Sequence, residues 1–169
     1  MASIPLAHRG QPTRRVTLRP ESADDRAFLQ ELYASTRDDL AVLDGDQCDT
    51  VIGLQFAARE RHFADAHPDA DAHIILFDAR PVGRLLVDRA GASVELVDIA
   101  ILPPHRNSGI GRSLVGALAD DAARTGKCLR LRVLRDSPAV RLYERLGFSR
   151  AAGDNVYLEM RRDGPTCTP

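Results

Sequence analysis

Arg106-Asn107-Ser108-Gly109-Ile110-Gly111 is the segment of this chain best suited to chemistry. Pro103-Pro104 stops the apolar run ending at Leu102, and the glycine-rich turn leads straight into an amphipathic stretch. A helix that starts here has unpaired backbone N–H groups at the positive end of its dipole. Glycines let that backbone approach a ligand closely, and Arg106 and Arg112 carry charge suited to phosphate oxygens. Together they suit a pyrophosphate. Two familiar phosphate loops do not match. A Walker loop needs Gly-Lys followed by Ser or Thr, whereas Arg112 follows Gly111. A Rossmann turn needs a small residue where Leu114 stands, with an acid about 20 residues further on, where this chain is basic or apolar. Two readings remain: a phosphate loop of another kind, or glycines that only shape a helix entry.

The elements that must hold this segment follow from the apolar spacing. Val16–Arg19 reads as a strand, and Pro20, Ser22 and Asp25 as a helix start. Phe28, Leu29, Leu32 and Tyr33 then recur at helical spacing. Arg37–Thr50 reads as a loop with five aspartates, at 38, 39, 44, 46 and 49, and Val51–Ala64 as a second helix, which His67-Pro68 ends. Three apolar runs, His73–Phe77, Val82–Asp88 and Val94–Leu102, are separated by turn residues and predict an antiparallel meander. A helix over Gly109–Thr125 carries Ile110, Leu114, Leu118 and Ala122 on one stripe. Leu129–Leu134 predicts a strand, Ser137–Leu146 a helix and Val156–Met160 a final strand. The order β-α-α-β-β-β-α-β-α-β gives a mixed sheet flanked by helices, of α/β or α+β class.

Composition narrows the functions. The chain has 169 residues, a net charge of −1 and 28% charged residues. This fits one domain, expected over residues 12–162 with loose tails at 1–11 and 163–169. A balanced charge argues against nucleic-acid binding through bulk positive charge. No run approaches the roughly 20 apolar residues that span a bilayer, and Met1–Gln11 lacks the apolar core of a secretory signal. Cys48, Cys128 and Cys167 form no CxxC and no disulfide framework, so a reducing, cytoplasmic setting is expected. Five scattered histidines without HExxH give no reason to expect a metal.

A second segment gives the loop its context. Leu131-Arg132-Val133-Leu134-Arg135-Asp136-Ser137-Pro138-Ala139 leads to Leu142-Tyr143-Glu144-Arg145-Leu146-Gly147-Phe148. With Arg106–Gly111, this resembles the GCN5-related N-acetyltransferases, the GNAT superfamily. The first segment matches the family's [Q/R]-x-x-G-x-[G/A] loop. The second matches a strand followed by N-x-x-A and then Y-x-x-x-G-F, and the likeness covers about Val82–Met160. It implies a central, mostly antiparallel twisted sheet flanked by helices, and an acetyl-CoA-dependent N-acetyltransferase without a metal. Ile99, Ala100 and Ile101 would pair with the pantetheine arm. Arg106, Asn107, Ser108, Gly109, Ile110 and Gly111 would hold the pyrophosphate, with Arg112 and Ser113 opening the helix. Ala139 fits the second motif. Asp136 stands where the family usually has Asn, and an ionised Asp accepts but does not donate hydrogen bonds.

The resemblance makes Tyr143 the general acid, because a phenol protonated at neutral pH can donate to a departing thiolate. Glu95, eleven residues before Arg106, resembles the glutamate that some members use as a base. Asp98 is its rival. Strand alternation groups Glu95 with Val97, Ile99 and Ile101, and Asp98 with Leu96, Ala100 and Leu102, so the two carboxylates face opposite sides. A water chain is the third candidate. The acceptor is expected to be a primary amine on a small molecule or peptide. The aspartates at 38–49 either draw in that cation or form a solvated loop. A homodimer is compatible with the family. The competing reading is a non-catalytic module that binds acyl-CoA or a protein partner.

Overall fold

The computed structural model describes residues 3–5, 15–37, 39 and 45–164. Strands β1 (Ser3–Pro5) and β2 (Arg15–Pro20) precede helices α1 (Arg26–Ala34) and α2 (Gly45–Ala66). Strands β3 (Asp71–Phe77), β4 (Arg80–Asp88) and β5 (Val94–Ile101) follow, then α3 (Ile110–Arg124), β6 (Leu129–Leu134), α4 (Ala139–Arg145), β7 (Ser149–Gly153) and β8 (Tyr157–Arg162). The strands form one mixed sheet in the order β1-β2-β3-β4-β5-β6-β8-β7. The β5–β6 pair is parallel, whereas β1–β2, β2–β3, β6–β8 and β7–β8 are antiparallel. The expected α/β class and order therefore hold, with two strands added. Residues 3–5, expected in a loose tail, form β1 against Arg15–Thr17. Ser149–Gly153 forms β7, a wholly exposed strand whose register shifts between Arg150 and Ala152.

The chain divides into two compact units, and β4 and β5 run through both. The first contains Met1–Pro68, Ala72–Leu85 and Ile99–Arg106. Its core packs Leu29, Leu32 and Tyr33 of α1 against Ile52 and Phe56 of α2 and Ile74 of β3. Ala100 and Leu102 close over this cluster. The helical spacing read from the sequence thus puts the expected stripe inside. A single 3-10 turn, Ala23–Asp25, precedes α1. The Ser22 amide and hydroxyl both donate to Asp25 Oδ2, at 2.8 and 3.0 Å, and Arg19 donates to both Asp25 oxygens. Helix α2 begins at Gly45, six residues before the predicted start, so Asp46 and Asp49 are helical. The remainder of the aspartate segment, apart from Asp39, lies outside the described residues. Between β3 and β4, Asp78 and Ala79 adopt φ of 50° and 64°, the left-handed pair that closes a tight hairpin. In β4, a Cβ on Gly83 would run into the Ala100 carbonyl, so the close approach of the two strands needs glycine there.

The second unit contains Asp69–Asp71, Leu86–Asp98 and Asn107–Pro169. Val94–Leu96 pairs in parallel with Leu129–Leu131. A parallel pair needs a long crossover, which α3 supplies. Helix α3 buries Ile110, Leu114, Val115, Leu118, Ala119 and Ala122. Along β6, Leu129 and Leu131 are buried while Arg130 and Arg132 are exposed, the alternation of a sheet with one open face. Cys128 is disulfide-bonded, which corrects the expectation of no disulfide.

Candidate functional site

The loop before α3 is built as its residue types predict. Asn107 and Gly109 have φ of 58° and 87°, and Gly109 is the N-cap residue. The left-handed turn lets the chain pass at once from loop to helix. The first bond of the helix runs from the Ser113 amide to the Gly109 carbonyl, at 3.0 Å. The N–H groups of Ile110, Gly111 and Arg112 therefore lie ahead of the helical ladder, aimed out of its positive end. Arg112 is exposed in the first turn and makes no hydrogen bond or ion pair to a described residue. These donors and this cation fit a pyrophosphate.

Arg106 does something else with its side chain. Its Nε donates to the Ile101 carbonyl at 2.8 Å and its Nη2 to the Ser35 carbonyl at 3.0 Å. Two of its three guanidinium nitrogens thus tie the end of β5 to the end of α1. Ile99, Ala100 and Ile101 lie in this first unit, on the last residues of β5.

Tyr143 sits on α4 in the second unit, 6% exposed, with its ring 5.6 Å from that of Phe148. Burial, helped by the negative charge of Asp98, pushes its phenol up to about 12. The carboxylate whose field reaches Tyr143 is therefore Asp98, whose Oδ2 is buried. Glu95 lies elsewhere. It lines a shallow open cleft with Arg130, Leu131, Arg132 and Glu159. The opposite facing of Glu95 and Asp98 expected from strand alternation agrees with these two environments. Asp136 is exposed in the turn between β6 and α4, and next to it Ser137 Oγ accepts from the Ala139 amide at 3.2 Å.

The model of the acetyltransferase (GNAT) family matches residues 27–148. The chain belongs to the GNAT acetyltransferase family. Solved GNAT structures have its fold. PaiA N-acetyltransferase from Thermoplasma acidophilum, solved with coenzyme A, is 17% identical, with a TM-score of 0.66 over 88% of this chain and 98% of that one. The ribosomal-protein-S18-alanine N-acetyltransferase of Escherichia coli is 19% identical, with a TM-score of 0.61 over 88% and 93%. Spermidine N-acetyltransferase from Vibrio cholerae, solved with CoA and spermine, is 19% identical, with a TM-score of 0.62 over 89% and 96%. No curated protein sequence matches.

Within this GNAT chain, the sequence reading picked out the loop, the α3 start, Tyr143 and Glu95, but not what surrounds Glu95. Arg130, Arg132 and Glu159 were legible only as the polar positions of alternating strands. Among the described residues, no helix is long and apolar enough to cross a membrane, and no group of His, Cys, Asp and Glu gathers as metal ligands.

Proposed function

We propose that this protein transfers the acetyl group of acetyl-CoA to a primary amine, by direct attack within a ternary complex. The observation that carries this reading is the start of α3, where three backbone N–H groups and Arg112 stand ready for a pyrophosphate in a chain of the GNAT family. Asn107, Ser108, Gly109, Ile110, Gly111, Arg112 and Ser113 hold the phosphates in this reading, and Ile99–Ile101 offers backbone to the pantetheine arm. The Asp136–Ala139 turn flanks the same cofactor. Backbone amides that orient the thioester also polarise its carbonyl, which develops negative charge as the amine attacks.

Tyr143 acts on the leaving sulfur. Its phenol stands at about 12, against about 8.5 for an ordinary thiol. Full proton transfer to the thiolate would run uphill by about 5 kcal/mol. Tyr143 therefore stabilises the thiolate by donating a hydrogen bond and keeps its proton. Glu95 receives the proton of the attacking ammonium, directly or through water. It suits this task because it is half-buried and makes no hydrogen bond or ion pair to a described residue. Asp98 keeps the neighbouring phenol protonated rather than serving as the base.

Calorimetric titration with acetyl-CoA, with ATP and NAD as controls, tests the reading. Saturable binding of acetyl-CoA at micromolar Kd or tighter, with neither control competing, is the expected result. Absence of binding to folded protein overturns it.

A further inference from the structure

We propose that the open face of β5, β6 and β8 beside Glu95 seats the carboxylate of the acceptor, so that the amine acetylated belongs to a zwitterion of the amino-acid class. The inference rests on the acetyl-transfer reading and deepens it. Glu95 and Arg130 are register partners in the parallel pair. Arg132 follows two residues later on the same face, and Glu159 is its register partner on β8. These four side chains, two cationic and two anionic, line one cleft.

None of the four is tightly held. The Arg130 side chain is 51% exposed, and its contact with Glu159 is a single long one of 3.4 Å. Arg132 is 56% exposed and reaches Asp154 through one nitrogen at 3.0 Å. Its guanidinium lies over the Tyr157 ring, 4.7 Å from the ring centre, a contact that uses none of its N–H donors. Two guanidinium groups on one strand face with donors to spare match a carboxylate, which takes paired N–H donors. Glu95, without a partner among the described residues, matches the ammonium. A neutral set of two positive and two negative groups favours a ligand that is itself a zwitterion. A polycation would meet Arg130 and Arg132, and a carboxylate-free monoamine would leave them unanswered.

The test uses matched pairs that differ by one carboxylate: alanine and ethylamine, phenylalanine and phenethylamine, lysine and cadaverine, arginine and agmatine. Release of free CoA thiol from acetyl-CoA is the readout. In at least one pair, kcat/KM for the amino acid should exceed that for its partner by about 10-fold, the scale of a charge-assisted contact on an exposed face. Arg132→Gln should erase that preference by raising KM for the amino acid far more than for its decarboxylated partner, and Arg132→Lys should restore part of it. Equal or faster turnover of the decarboxylated amines overturns the inference, as does an Arg132→Gln effect that is the same on both members. If acetyl-CoA binds but no amino acid is acetylated, the inference fails and the cofactor assignment stands. If acetyl-CoA does not bind, the acetyl-transfer reading fails and takes this inference with it.

Discussion

Two sets of arginine–carboxylate contacts, one in each unit, use the same chemistry to opposite ends. In the first unit, the Arg84 side chain is 6% exposed on β4. Its Nε donates to Glu21 at 2.8 Å, its Nη2 to the other Glu21 oxygen at 3.2 Å and its Nη1 to Glu60 at 2.6 Å. In the second unit, Arg130 and Arg132 are half-exposed and each holds a carboxylate by one nitrogen. A buried guanidinium must have its donors answered, because water cannot answer them. An exposed one can exchange its partner for another at little cost. The first arrangement is therefore a fixed joint between β4, the β2–α1 connection and α2. The second is a surface with donors to offer.

Breaking the joint should give the largest effect. Arg84→Ala leaves Glu21 and Glu60 facing each other without their cation, and should lower the unfolding free energy by about 3–5 kcal/mol. Urea titration followed by circular dichroism measures this directly. Arg130→Gln in the same experiment should lose less than about 1 kcal/mol. Equal losses for the two variants would erase the distinction between joint and surface.

The next effect lies in the second unit and is catalytic. Tyr143→Phe removes one oxygen from a buried ring that keeps its packing on Phe148. Turnover should fall by about 100-fold, the lower range for one hydrogen-bond donor to a developing anion, with acetyl-CoA affinity nearly unchanged. Since the wild-type phenol stands at about 12, Tyr143 itself should produce no alkaline limb in the rate profile below about pH 10. Undiminished turnover in Tyr143→Phe would remove the residue from the mechanism.

How far the sequence reached can be judged from the same residues. Strands with strict alternation were legible to the residue, as in Leu129–Leu134, because one face is buried and the other is not. β7 was not, since Ser149–Gly153 is exposed throughout and carries no apolar pattern to read. The start of α2 was missed because Gly45–Thr50 is polar, yet Cys48 within it packs against the core. At the site, residue type gave the loop and the helix start, which depend on local backbone. Residue type did not reveal that the Arg106 side chain donates to the carbonyls of Ile101 and Ser35. The pairing of Asp98 with Tyr143, and the cleft around Glu95, bring together residues that are far apart in the chain, and no local pattern encodes that.

A further predicted effect separates two carboxylates inside the first unit. Asp25 accepts from Arg19 and from the Ser22 amide and hydroxyl, and the Arg19 guanidinium leads in holding its carboxyl well below the usual range. Glu21 is pushed up, with burial outweighing the attraction of Arg84. A lowered folded value means that Asp25 contributes stability above its unfolded value of about 4 and loses it as pH falls further. A raised value means the reverse for Glu21, whose burial costs stability while it is ionised and stops doing so once it is protonated. Stability should therefore hold or rise slightly as pH falls toward about 4 and then drop. Asp25→Asn should cost about 2 kcal/mol at neutral pH and flatten the drop below pH 4. Thermal melts of the two proteins between pH 3 and pH 7, a range in which the wild-type curve should cross from the Glu21 regime to the Asp25 regime, measure both. A parallel fall in both proteins below pH 4 would place the acid-labile contact elsewhere than at Asp25.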